Sequence, residues 1–370
     1  MQQPLSRPAP IDAARERRDA LGRPLRELRL SVTDRCNFRC GYCMPSDSFR
    51  EDAHFLPRPE ILSYEELARL ARLFVSELGV RKLRVTGGEP LLRRDLPRLI
   101  DWLAKIPGAT DLALTTNGFL LEHLARPLRA AGLARVTVSV DSLDPSQFAA
   151  MSGASGPAAL ERLPRVLAGI DAALAAGFEQ LKINCVVIAG QNDSAILPLA
   201  ERFRGTNHIV RFIEYMDVGT QNAWRANDVV PAAEIVRRIS AVWPLEAAPP
   251  NHRGEVAQRF RYRDGGGEIG VIASVSQPFC GECQRARLSA DGKLLTCLFA
   301  QSGFDLKAPL RSGATDTELG ELVRNVWAVR RDRYSEQRAE LETRAHSTPI
   351  RSNGERTHDR RRLEMYQVGG

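Results

Sequence analysis

No apolar stretch in this chain reaches the 18 or so residues that a membrane-crossing helix needs, so no transmembrane span is expected. The segment from Met1 to Arg23 is rich in Pro, Ala and Arg and lacks the apolar core of a secretory signal. Together these absences leave the cytoplasm as the expected compartment. Aromatic residues make up only 6% and no nucleic-acid-binding module is present. The net charge of +7 therefore suits an anionic partner without implying DNA or RNA. Lysine is scarce, at five of the 52 basic residues. A GC-rich genome accounts for that skew as readily as an anion site does. A disulfide framework is missing too, because seven Cys in spaced groups across 370 residues read as metal ligands.

Six of those cysteines form two groups of three. Cys36, Cys40 and Cys43 stand in the run Cys-Asn-Phe-Arg-Cys-Gly-Tyr-Cys, a C-x3-C-x2-C spacing. Three thiolates leave one iron of a four-iron cluster without a protein ligand, whereas an electron-carrying cluster normally has all four irons capped. That open iron reads as a reaction centre. Zinc favours paired C-x2-C groups within about 20 residues, and no second pair follows here. Cys280, Cys283 and Cys297 form C-x2-C-x13-C. A second cluster with an open iron is the sharper reading of this group, and zinc completed by a distant His is the alternative. Cys185 falls in an apolar strand and is expected in the core.

With 43% hydrophobic residues the chain can bury one large domain and a smaller one. Short β-branched runs at Leu25–Val32, Lys82–Thr86, Asp111–Thr115, Arg135–Val140, Leu181–Ile188 and His208–Tyr215 alternate with helical patterns. The clearest helix, Ser63–Leu78, opens with a capping box between Ser63 and Glu66, and places Leu67, Leu70, Ala71, Phe74 and Leu78 on one face. Further helices are expected over Arg94–Lys105, Leu120–Ala131, Ala158–Ala176 and Ser194–Phe203. Six strand–helix units predict a parallel α/β sheet curved into a partial TIM-type barrel. Polar residues gather at the strand ends, where such barrels carry their sites. After about residue 240 Pro and Gly turns predominate. The expected division is an arm over 1–24, the partial barrel over 25–240, a small C-terminal domain over 241–335 and a charged tail over 336–370. Its stretch from about Arg338 to Arg362 reads as a mobile arm. The tail ends in Gly369-Gly370, which could enter a narrow pocket or simply fray.

Arg29, Arg84, Lys182 and Arg211 lie on predicted core strands, where an unpaired cation is costly. An anionic substrate in the lumen is one partner; ion pairs with Glu89, Glu214 or Asp141 are the other. Arg285 and Arg287 project from one face of an extended segment just after Cys283, and guanidinium forks suit phosphate oxygens.

Cys36-Asn-Phe-Arg-Cys40-Gly-Tyr42-Cys43 resembles the signature of radical S-adenosylmethionine (SAM) enzymes. Arg84-Val-Thr-Gly-Gly88-Glu-Pro, Thr115-Thr-Asn-Gly, Val138-Ser-Val-Asp141 and Arg211-Phe-Ile-Glu-Tyr-Met216-Asp narrow the likeness. With Phe279-Cys-Gly-Glu-Cys-Gln-Arg-Ala-Arg and the terminal Gly-Gly, the chain is similar to the GTP 3′,8-cyclase family of molybdenum cofactor biosynthesis. The resemblance implies that Cys36, Cys40 and Cys43 hold a [4Fe-4S] cluster that chelates SAM, with Tyr42, Gly88, Ser139 and Met216 contacting SAM. It implies that Cys280, Cys283 and Cys297 hold a second [4Fe-4S] cluster facing guanine, and that Arg29, Arg84, Thr115, Lys182, Arg285 and Arg287 bind GTP. The first three cysteines and Arg29 are then the catalytic set. Abstraction of hydrogen from C3′ of GTP, closure onto C8 and a final reduction would give the 3′,8-cyclised nucleotide. The expected partners are GTP, an electron donor, the downstream cyclic pyranopterin monophosphate synthase and a second copy in a homodimer. An alternative is a peptide maturase with an auxiliary cluster, which needs neither Arg285-Ala-Arg287 nor a basic lumen. Another is a non-catalytic iron–sulfur or zinc module, which would not cleave SAM.

Overall fold

The computed structural model describes residues 17–44, 55–219, 222–338 and 363–369. Strands β1 (Glu27–Ser31), β2 (Lys82–Thr86), β3 (Asp111–Thr116), β4 (Arg135–Ser139), β5 (Lys182–Val187) and β6 (Ile209–Glu214) pair in parallel in chain order. Helices α1 (Tyr64–Leu78), α2 (Leu96–Ala104), α3 (Leu121–Ala130), α4 (Pro145–Met151), α5 (Arg162–Ala175) and α6 (Ile196–Phe203) fill the crossovers, α4 and α5 sharing one. The capping box at Ser63 is present: its Oγ accepts from the Glu66 amide at 3.1 Å, and the Glu66 carboxylate accepts from the Ser63 amide at 2.7 Å. The apolar stripe of α1, from Leu67 to Leu78, is buried as its spacing predicts.

The C-terminal part is built onto both edges of this sheet. Helix α7 (Ala232–Val242) leads into a meander of β7 (Leu245–Ala248), β8 (Gln258–Tyr262) and β9 (Glu268–Ile272), and β9 pairs in parallel with β6. On the other edge β10 (Arg285–Leu288) pairs in parallel with β1, and β11 (Lys293–Leu295) and β12 (Phe304–Asp305) follow antiparallel. The sheet is one open array of twelve strands, ordered β12-β11-β10-β1-β2-β3-β4-β5-β6-β9-β8-β7. Its central eight are parallel, a barrel wall that does not close. Helices α8 (Lys307–Arg311) and α9 (Asp316–Ala328) complete it, and α9 packs on α1. The sequence reading missed α4, α7, α8, β7, β8, β11 and β12. These are short or amphipathic pieces whose patterning is weak without the sheet they join.

Side chains alternate across the pleat. Leu28 and Leu30, Leu83 and Val85, Val136 and Val138, and Ile183 and Cys185 face outward and are buried beneath the helices. Each such side chain contributes roughly 1.5–3 kcal/mol on burial. The positions between them point into the concave lumen and are overwhelmingly polar. Cys185 is core, as its setting suggested.

Candidate active site

A cavity of ≈ 620 Å³ fills the lumen and is lined by both cysteine groups. Topology puts the two groups at opposite mouths. Cys36, Cys40 and Cys43 follow the C-terminal end of β1, whereas Cys280 and Cys283 precede the N-terminal end of β10, which runs parallel to β1. The expectation of one site at the strand C-termini thus covers only the first half. The site runs through the barrel.

At the C-terminal mouth, the loop after β1 carries the first three thiols. Cys36 Sγ accepts from the Phe38 amide at 3.4 Å and lies 3.9 Å from Asn117 Nδ2. Burial foremost, then Glu89, pushes the Cys36 thiol up to about 11. The loop is held by the Gly87-Gly88-Glu89 segment: the Gly88 amide donates to the Thr33 carbonyl and the Glu89 amide to the Arg35 carbonyl, both at 2.7 Å. A Cβ on Gly88 would collide with the backbone carbonyl of Arg35, so only glycine allows this approach. Glu89 is buried and accepts from Thr116 Oγ1, the Asn117 amide and the Leu91 amide at 2.7, 2.7 and 3.0 Å. Tyr42 donates to Asp141 Oδ2 at 2.8 Å. Tyr42, Gly88, Ser139 and Met216, the residues expected at SAM, all line the cavity at this mouth. Met216 is positioned through its carbonyl, which accepts from Asn222 Nδ2 at 3.2 Å.

At the other mouth, Cys283 is bracketed by cations. Arg330 Nη2 lies 3.3 Å from its Sγ and Arg285 Nη2 lies 3.6 Å from it. Burial pushes this thiol up, but Arg285 and Arg330 outweigh it and bring it to about 6. Arg23 Nη1 donates to the Cys280 carbonyl at 2.7 Å, so the N-terminal segment helps frame this group. Among the described residues no three His, Cys, Asp or Glu side chains converge on one metal ion. The donor sets, three soft thiols each on the cavity wall with N–H groups aimed at sulfur, fit iron–sulfur ligation.

Between the mouths the lumen is basic. Register places Arg29 beside Arg84 on β2 and Arg287 on β10. The carboxylate that answers them is Glu27, which pairs with Lys82 at 2.7 Å, Arg29 at 3.2 Å and Arg84 at 3.3 Å. Among the described residues the alternative ion pairs with Glu89, Glu214 or Asp141 are not formed. Glu214 instead accepts from the backbone of Ala232 and Val275 at 2.7 Å each. Burial raises the Glu27 carboxyl, but Lys82, Arg29 and Arg84 together hold it well below the usual range. Arg84 also donates to Thr115 Oγ1 at 2.9 Å, which places Thr115 on the same wall. Lys182 has no hydrogen-bond or ion-pair partner among the described residues, and burial, then Arg211, pushes it down to about 7. Arg211 falls to about 9 for the same reasons, burial first and Arg84 next. Arg287 is buried and Arg285 half-buried, and both line the same lumen.

The tail returns to this lumen. A helical turn at Met365–Val368 precedes Gly369, whose carbonyl accepts from Arg287 Nη1 at 3.1 Å. At φ +71°, Gly369 leaves no room for a Cβ, which would strike Thr86 Cγ2 and lie 2.7 Å from Ser31 Oγ. Gly370 and residues 339–362 lie outside the described residues. Arg338, where the arm was expected to begin, is buried and paired with Asp217 at 2.8 Å. Sequence reasoning missed Glu27, Lys82 and Arg135 on the lumen wall. Their i, i+2 spacing from Arg29, Arg84 and Thr137 was the available signal.

Residues 30–203 match the radical SAM superfamily, and residues 208–336 match the family described as Molybdenum Cofactor Synthesis C. A protein of Acidothermus cellulolyticus named GTP 3′,8-cyclase is 54% identical over 95% of this chain and 99% of its own length. One of the same name from Xanthomonas axonopodis pv. citri is 53% identical over 95% and 98%. Among solved structures, methylornithine synthase is similar with a TM-score of 0.45 and 12% identity, over 60% of this chain and 63% of that one. With such identity along nearly its whole length, this chain belongs to the GTP 3′,8-cyclase family of radical SAM enzymes.

Proposed function

We propose that this enzyme cyclises GTP to 3′,8-cyclo-7,8-dihydroguanosine triphosphate, the first step of molybdenum cofactor biosynthesis, using SAM and two [4Fe-4S] clusters. The observation that carries the reading is the single basic lumen with a three-cysteine group at each mouth. In this reading Cys36, Cys40 and Cys43 hold the SAM-binding cluster and Cys280, Cys283 and Cys297 hold the second. When bound, the first cluster and SAM together supply the radical that takes hydrogen from C3′ of GTP. The rest is positioning.

Arg285 and Arg287 stand next to the second cysteine group, on the strand that follows it, and grip the triphosphate together with Lys182. Arg29 and Arg84, oriented by Glu27, hold the nucleotide between the mouths, and Thr115 adds a hydroxyl. Tyr42, Gly88, Ser139 and Met216 place SAM at the opposite end, so the two substrates meet inside the wall. The tail, docked by Arg287, closes the lumen near Arg29 and excludes water. The enzyme works in the cytoplasm, as a homodimer served by an electron donor, and hands its product to cyclic pyranopterin monophosphate synthase.

Anaerobic reconstitution followed by iron and sulfide analysis tests this directly. Two four-iron clusters give about eight irons per chain with reductant-dependent SAM cleavage. Zinc without cleavage would refute the reading.

A further inference from the structure

Behind the second cysteine group lie two buried guanidinium groups, with one fully buried carboxylate between them. Asp19 Oδ2 pairs with Arg23 Nε at 2.6 Å and with Arg330 Nη1 at 3.2 Å. Asp332 comes within 3.4 Å of Arg330 Nε, but its side chain is 34% exposed. Arg23 Nη2 has no hydrogen-bond acceptor among the described residues. Arg330 Nε has no hydrogen-bond acceptor among the described residues, while its two terminal nitrogens reach one ligand residue. Nη1 donates to the Cys283 carbonyl at 2.9 Å, and Nη2 to the Cys283 sulfur at 3.3 Å. The guanidinium also sits 4.6 Å from the Trp327 ring centroid, and that indole is itself fully buried with its Nε1 donating to the Arg23 carbonyl at 3.3 Å.

Buried cation in excess of its counter-charge is costly unless something answers it. Beyond the carboxylates of Asp19 and Asp332, the anion that Arg330 reaches is the Cys283 thiolate. Its orientation leaves little freedom, because a carboxylate, an indole face, a backbone carbonyl and a sulfur all fix the same planar group. Nothing in the nucleotide-binding role assigned above requires it.

We propose that Arg330, clamped by Asp19 and Trp327, is a positioning residue of the second cluster that donates to the Cys283 thiolate and raises the reduction potential of the iron–sulfur group held there. The inference rests on the two-cluster reading. Reduction adds one negative charge, so a fixed cation and an N–H donor on ligating sulfur favour the reduced form.

The test uses the full-length chain with Cys36, Cys40 and Cys43 replaced by Ser, reconstituted anaerobically, so that only the second group can bind a cluster. About four irons per chain are expected. Redox titration followed by electron paramagnetic resonance then compares this form with its Arg330→Gln and Arg330→Lys versions. Arg330→Gln should lower the midpoint by the equivalent of at least tenfold in the reduced-to-oxidised ratio, about 59 mV for one electron. Arg330→Lys keeps the charge but loses the fork, and should fall by less. If Arg330→Gln fails to assemble a cluster, Arg330→Lys decides, a lowered midpoint supporting the proposal and an unchanged one overturning it. Equal midpoints at full iron content would overturn it and leave the second cluster standing. Absence of iron from the triple-Ser chain would overturn the second cluster and the proposal with it.

Discussion

Arg287 Nη1 donates to the carbonyl oxygen of Gly369 at 3.1 Å, joining the strand after the second cysteine pair to the penultimate residue of the chain. The fit around Gly369 is sterically exclusive, since Ser31 and Thr86 occupy the space a side chain would need. Deleting Gly369 and Gly370 should lower turnover with iron content unchanged, and a synthetic peptide ending in Tyr-Gln-Val-Gly-Gly should restore part of it. Gly369→Ala should act like the deletion, because the positive φ adds about 1–2 kcal/mol of backbone strain to the collision. Full activity in both variants, measured as product per chain, would make the docked tail incidental.

The two cysteine groups should separate genetically. Cys36→Ser is expected to abolish SAM cleavage, whereas Cys280→Ser should retain some cleavage without cyclised product, because the second mouth holds substrate and the first drives reduction. Quantifying 5′-deoxyadenosine and product in each variant decides the matter. Normal cleavage in both would remove the distinction.

Arg285→Ala and Arg287→Ala should each raise the GTP requirement tenfold or more and leave the SAM requirement nearly unchanged. Charge-assisted hydrogen bonds contribute roughly 1.5–3 kcal/mol apiece. Binding of guanosine, which lacks phosphate, should change far less than binding of GTP, and equal losses for the two would contradict a phosphate role.

Lys182 gives a pH signature. Its folded-state value of about 7 lies below the value of roughly 10.4 for an unfolded chain, so the unfolded state binds more protons between the two. Stability of the ligand-free protein should therefore gain a contribution as pH rises from about 7 to about 10. Triphosphate reverses the shift by favouring the charged amine, and GTP binding at pH 8 should take up a proton. Calorimetry in buffers of different ionisation enthalpy reads that uptake, and Lys182→Met should abolish most of it.

Much of this architecture was legible in the sequence. Six strands were placed within two residues or so, because their apolar faces alternate cleanly, and the capping box fixed the start of α1. The basic residues on β1, β2, β5 and β6 were visibly out of place for a core. Their shared carboxylate was not found, because Glu27 reaches Lys82 and Arg84 across strands as well as Arg29 on its own, and register is invisible before the sheet exists. For the same reason, the position of the second cysteine group at the opposite mouth could not be read. It depends on β10 pairing in parallel with β1, some 250 residues away in sequence. Asp19 and Arg23 looked like part of a polar arm, and only packing against Arg330 shows them to be buried.

That buried pairing predicts a stability effect. Asp19→Ala leaves the buried Arg23 guanidinium without its carboxylate and Arg330 with Asp332 alone, and should cost about 3–5 kcal/mol. Urea unfolding of the metal-free chain measures it, and a loss below 1 kcal/mol would mean that water or Asp332 compensates.

The central claim is that SAM and GTP react across this one lumen, with hydrogen leaving C3′. The direct measurement is incubation of the reconstituted enzyme with SAM, reductant and GTP deuterated at C3′, followed by mass spectrometry. The account predicts deuterium in 5′-deoxyadenosine, formed in step with the 3′,8-cyclised nucleotide. Undeuterated 5′-deoxyadenosine, or deuterium transfer without cyclised product, would contradict it.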